Sequence, residues 1–175
     1  MNSWWHIQTN RGESLKELSD RNKVMLVFLR HFGCTFCREA LADIHRKREE
    51  IENEGAIIVL VHQIGDKQAD ELLRLYHLED IHRISDPNLE IYHAFNLNRA
   101  TFKQHYGLRV MIRGFVAGLI KGHMLGPEQG DGWQMPGVFI LREGKIIDKY
   151  IHEYVSDRPD YSELSACDYK SPAHT

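Results

Sequence analysis

Cys34 and Cys37 stand two residues apart in FGCTFCRE, residues 32–39. That spacing serves two chemistries. A CxxC pair can cycle between dithiol and disulfide, and it can supply half of a zinc site. A zinc ribbon needs a second CxxC, and the chain has just one further cysteine, Cys167. A two-cysteine, two-histidine finger needs its histidines about 12–15 residues downstream. His77 and His82 have a suitable gap but lie far beyond that distance. The redox reading is therefore the stronger one. In it Cys34 is the attacking thiol, because it stands nearer a predicted helix N-terminus, where free N–H groups and the macrodipole favour an anion. Cys37 lies one turn in, about 5–6 Å away at i,i+3 spacing, and closes the disulfide. Cys167, in a polar tail, is read as an unpaired thiol. Arg30, His31 and Arg38 are close enough in sequence to add positive field.

The elements around the pair follow from the apolar pattern. VMLVFL (24–29) and AIIVLV (56–61) are short continuous apolar runs, the pattern of strands buried on both faces. Between them, residues 35–53 place Ala40, Leu41, Ile44 and Ile51 on one helical face. Strand, helix, strand gives a right-handed parallel unit with the cysteines at the strand-to-helix junction. Ser14-x-x-Glu17 is a capping box that starts a short helix through Leu18. Residues 66–78 are amphipathic, IHRIS is a short strand, and Asp86-Pro87 predicts a helix start running to about Phe95. MPGVFIL, REGK and IIDKYIH read as two strands joined by a tight glycine turn. A short helix is expected around Ser162 to Ala166.

The 175 residues carry a net charge of -3, a pI near 6.4 and 42% hydrophobic residues. That balance points to neither nucleic acid nor an anionic membrane. Three cysteines make no disulfide framework, so the core must hold the fold. No basic, apolar, small-residue leader precedes the first helix, and no apolar run approaches the roughly 18 residues of a membrane span. The expectation is a cytoplasmic protein of one domain, residues 1–175, with its core at about 13–163. Residues 97–131 read as an insertion. They hold six glycines and the apolar MIRGFVAGLI, a candidate helix or self-association surface. From Ile91 to Pro127 there is no Asp or Glu, against five Lys and Arg.

FLRHFGCTFCRE, the DPN helix start, GDGWQMPGVFIL and the late SDRPDY together resemble the peroxiredoxin-like branch of the alkyl hydroperoxide reductase/thiol-specific antioxidant group. That branch includes proteins related to selenoprotein L and lies within the thioredoxin-like superfamily. The resemblance spans roughly residues 13–163. It implies a mixed central sheet flanked by helices, with Pro136 as a cis-proline before the hairpin and against the cysteines. Pro136, Met135, Gln134 and Trp133 would line the substrate groove. It implies a thiol–disulfide oxidoreductase with no bound cofactor, an external thiol reductant, a disulfide or peroxide substrate, and a homodimer. Alternatives are a peroxidase proper and a non-enzymatic redox-sensing module. Aligning Cys37 with the family's peroxidatic cysteine puts Cys34 at a hydroxyl-bearing position and Arg30 at a proline position. Thioredoxin's buried aspartate becomes Phe28.

Overall fold

The computed structural model describes residues 3–31, 33–102, 104, 110 and 130–167. A five-stranded sheet in the order β3-β2-β1-β4-β5 forms its centre. Strands β1 (Lys23–Phe28), β2 (Ala56–His62) and β3 (His82–Ser85) are parallel. Strand β4 (Gly137–Arg142) runs antiparallel to β1, pairing Val27 with Val138 and Phe28 with Gly137, and β5 (Lys145–Ile151) completes the hairpin at the edge. The apolar runs therefore occupy the three central strands, where both faces are covered. Helices α2 (Thr35–Asn53) and α3 (Asp66–Arg74) connect the parallel strands. Leu41, Ile44 and Ile51 of α2 pack with Met25, Val27, Ile58 and Leu60 on one face. Phe28, Tyr92, Phe95 and Phe139 fill the other, with ring centroids about 5 Å apart.

Local chemistry explains the element ends. Ser14 caps α1 (Leu15–Arg21), and Glu17 bonds back to the Ser14 N–H at 2.8 Å. Gly55, at φ 74°, turns the chain out of α2 into β2. Glu143 and Gly144 are both left-handed, as a tight hairpin turn requires. A Cβ on Gly144 would stand 2.3 Å from the Trp5 ring, so glycine is required on two counts.

Two sequence expectations change. Asp86-Pro87 does not begin the helix itself: α4 spans only Glu90–Ala94. Leu89 is left-handed, so the three residues after Asp86 form a turn and not helix. The Asp86 carboxylate then reaches forward to accept from Glu90, Ile91 and Tyr92 N–H groups at 2.8–3.2 Å. The second change is at Pro136. No peptide bond among the described residues is cis, so Met135–Pro136 is trans. Trans is the lower-energy form of an X–Pro bond by about 0.5–1 kcal/mol. It still delivers the chain directly into β4 at Gly137. The final short helix, α5, spans Tyr161–Ser165. Most of the insertion, including MIRGFVAGLI, lies outside the described residues.

Candidate active site around Cys34 and Cys37

β1 ends at Phe28, and the chain continues beside β2 through a Leu29 N–H to Val61 C=O bond of 2.9 Å. The Cys34 N–H bonds the His31 carbonyl at 3.0 Å, closing a tight turn. Cys34 is thereby the N-cap of α2, in extended conformation. Cys37 sits in the first helical turn. Both are thiols, 3% and 5% exposed.

Their environments push the two thiols apart. Cys37 donates a hydrogen bond to the Cys34 sulfur, and this lowers Cys34 from 9.0 to about 6. Burial opposes the shift. The Arg30 guanidinium and the Phe36 and Cys37 N–H groups of the helix start reinforce it. Cys37 is pushed well above its ordinary value, because it keeps the shared proton and is buried beside the Cys34 charge. The Arg30 N–H also points at Cys37 Sγ, 3.3 Å away. The arrangement suits one thiolate nucleophile with a protonated partner one turn along.

A small cavity of about 20 Å³ touches both cysteines, enough for about one water-sized molecule. Its walls include Arg30, Phe36, Pro136, His152 and Arg158. Arg158 belongs to the SDRPDY stretch and pairs with Glu39, buried on α2, at 2.7 Å, and with Asp43. This ties the segment after β5 to the helix that carries the cysteines. Burial holds the His152 ring neutral, down to about 4. Tyr161, also buried against the pocket, is pushed up to about 12.

The walls are held from outside the motif. Tyr92 on α4 donates its hydroxyl between the Leu29 and Val61 carbonyls, locking the ends of β1 and β2 together. Gln63 donates to the Arg30 carbonyl and accepts the Asp131 N–H at 2.5 Å. It thus clips the cysteine turn to the loop that leads to Pro136. Gly130 lies against this amide at φ 101°; a Cβ there would stand 2.7 Å from Gln63 Oε1.

The structure brings Cys34, Cys37 and Pro136 together on one cavity. Met135 is buried beside it, in a cluster with Val110 and Val155 that Phe36 covers. Gln134 is fully buried and turned inward, its amide donating to the Leu97 carbonyl at 2.7 Å. Its side chain is spent on holding the loop rather than facing a groove. Trp133 is half-buried, and its N–H bonds the Asp131 carboxylate at 2.9 Å. Neither Trp133 nor Gln134 lines the cysteine cavity, and Cys167, half-buried after α5, does not reach it. Tyr92, Gln63 and His152 are contributors that sequence reasoning missed. Arg158 and Tyr161 had a signal, since they lie in the SDRPDY stretch.

A family model described as AhpC/TSA antioxidant enzyme matches residues 43–153. The chain belongs to that family. The AhpC/TSA match starts downstream of both cysteines, so it covers the scaffold and not the motif. A curated relative, the thioredoxin-like protein AAED1, chloroplastic, of Arabidopsis thaliana, is 25% identical over 162 residues. The match covers 87% of this chain and 65% of that protein, so the chain spans about two thirds of the relative's length. Among solved structures, reduced Prx3 from Vibrio vulnificus superposes with a TM-score of 0.64 at 14% identity, covering 92% of each chain. The peroxidoxin BcpB of Mycobacterium tuberculosis gives 0.62 at 13%, covering 91% of this chain and 87% of that one. At such identities the superpositions establish the peroxiredoxin/thioredoxin-like fold. Among the described residues, no helix is long and apolar enough to cross a membrane.

Proposed function

We propose that this AhpC/TSA protein is a thiol oxidoreductase that cycles between a Cys34–Cys37 dithiol and disulfide. The observation that carries the reading is the placement of the two thiols: Cys34 is the N-cap of α2, Cys37 lies in its first turn, and both are buried on one cavity with Pro136, an arrangement that lowers Cys34 and raises Cys37. The Cys34 thiolate attacks an oxidised substrate, a disulfide or a hydroperoxide. Cys37 then displaces the leaving group and closes the internal disulfide, and an external thiol returns both electrons. Pro136 bounds the approach to the sulfurs, with Met135 packed behind it; Trp133 and Gln134 hold the loop that presents it. A reducing compartment such as the cytoplasm suits a pair that must be recycled.

Burial of both sulfurs favours a small hydroperoxide as the oxidant, since Cys34 and Cys37 are 3% and 5% exposed and share one cavity. Arg30 lines the same space, where it can stabilise the departing alkoxide or hydroxide. In that step Cys34 takes one oxygen to become the sulfenic acid and the alcohol or water leaves. Cys37 then attacks the sulfenic sulfur and releases water as the disulfide forms. The test is turnover with peroxide and with a disulfide substrate, with wild type, Cys34→Ser and Cys37→Ser compared. Loss of both activities in Cys34→Ser is expected. Cys37→Ser is expected to stop at a sulfenic acid or a mixed disulfide on Cys34, visible by intact mass. Full activity of Cys34→Ser in both assays refutes the mechanism.

A further inference from the structure

In the proposed cycle Cys37 gives up its proton late, and backbone donors surround its sulfur. The Arg30 N–H points at Cys37 Sγ from 3.3 Å. The His31 N–H bears on the same sulfur. These groups belong to two consecutive peptide units, Leu29–Arg30 and Arg30–His31. At the far end of each unit, a side chain from elsewhere in the chain holds the carbonyl oxygen. Tyr92, on α4, donates its hydroxyl to the Leu29 carbonyl and shares it with the Val61 carbonyl at 3.1 Å. Gln63, just after β2, donates its amide to the Arg30 carbonyl. The Gln63 Oε1 is itself fixed by the Asp131 N–H at 2.5 Å.

A peptide unit is planar, so fixing its carbonyl fixes the direction of its N–H. Donation into the carbonyl also polarises the unit and strengthens the N–H as a donor. Tyr92, Gln63, Arg30 and Cys37 are all buried, so these dipoles act with little screening. Donors of this kind gain most when the acceptor carries charge. Cys37 keeps its proton at rest, so the gain comes when its sulfur reacts.

We propose that Tyr92 and Gln63 are positioning residues for closure of the disulfide: through two peptide units they aim the Arg30 and His31 N–H groups at the negative charge that builds on Cys37 Sγ as it attacks oxidised Cys34. This rests on the reading that the pair cycles. In the step, Cys37 Sγ bonds to the Cys34 sulfenic sulfur and the S–O bond breaks. The departing hydroxide takes the Cys37 proton and leaves as water. When an external thiolate later opens the disulfide at Cys34, the Cys37 sulfur departs as the anion and meets the same two N–H groups. Attack of Cys34 on the hydroperoxide does not draw on them.

The test is a single turnover on a Cys167→Ser background. Reduced protein is mixed with hydrogen peroxide, raised until oxidation of Cys34 outruns closure, then quenched in acid at intervals and weighed intact. The sulfenic acid shows as one added oxygen and the disulfide as two lost hydrogens. A hydrogen bond to a charged atom contributes about tenfold or more. In Tyr92→Phe and in Gln63→Leu the N–H groups remain but are no longer held, so closure is expected to slow about fivefold in each. Formation of the sulfenic acid is expected to stay within about twofold of wild type. Opening of the preformed disulfide by excess 2-mercaptoethanol is expected to slow about as much as closure, and it decides the matter if closure proves too fast to follow. Loosening of the fold by itself would slow formation and closure alike. Closure and opening within about twofold of wild type in both variants overturn the proposal, as does an equal slowing of formation and closure. Tyr92→Phe decides alone if Gln63→Leu does not fold. If wild type consumes peroxide and never forms the disulfide, the cycling reading itself fails, which separates the two conclusions.

Discussion

The titration of Cys34 is the most direct probe of this site. The perturbation is pH alone, applied to the reduced protein. With the thiol at about 6, roughly nine-tenths of Cys34 is thiolate at pH 7, against about one-hundredth at the ordinary 9.0. Thiolate ultraviolet absorbance reads this directly and needs no reagent to enter a cavity of about 20 Å³. Alkylation rate is the poorer assay. Each unit of lowered pKa also lowers nucleophilicity through a Brønsted slope of about 0.4–0.5, which offsets most of the gain in thiolate. On a Cys167→Ser background, which removes the third free thiol, a midpoint near 6 is expected and is absent when Cys34 is also replaced by Ser, with Cys37 silent to well above neutrality because its value is raised. Stability must follow with a fixed sign. A group depressed on folding stabilises above its unfolded value, and that contribution is lost as pH falls through its folded value. At pH 7 Cys34 still contributes one pH unit's worth, on the order of 1 kcal/mol, and the contribution vanishes below about pH 6. The reduced protein should therefore lose stability relative to Cys34→Ser between pH 8 and 6. A midpoint at the free-thiol value of about 8.5, or no stability difference across that window, refutes the reasoning.

Three further outcomes test the supports. Arg158→Met leaves Glu39 buried beside Asp43 without its cation, and should lower unfolding free energy by about 3 kcal/mol in denaturant. Asp86→Ala removes the acceptor of three N–H groups at α4 and should cost about 1–2 kcal/mol by the same measurement. Asp86→Asn should recover most of this. Tyr92→Phe leaves the Leu29 and Val61 carbonyls without a shared donor, an expected loss of about 1 kcal/mol with little change in the Cys34 midpoint.

Much of this protein is written in local pattern. Continuous apolar runs mark β1 and β2 because a strand covered on both faces has no solvent side to alternate with. The Ser14–Glu17 box, the Glu143-Gly144 turn and the cysteine pair at a strand-to-helix junction are all short-range features, legible from neighbouring residues. The length of α4 was not, because Asp86 caps it from four to six residues away and the turn between them depends on a left-handed Leu89. Nor was the trans geometry at Pro136. The chemistry of the site is least local. Which thiol ionises depends on Cys37 donating to the Cys34 sulfur at the α2 N-terminus, with burial and the Arg30 guanidinium acting on both sulfurs. Gln63 and Tyr92 brace the chain beside the cysteine turn and His152 lines the cavity, all from other parts of the chain, because β1, β2 and β5 end nearby. Sequence by itself determined the strands, the junction and the pair; tertiary structure alone decided the charges around the sulfurs, since a Coulomb interaction depends on distance and burial and not on separation along the chain.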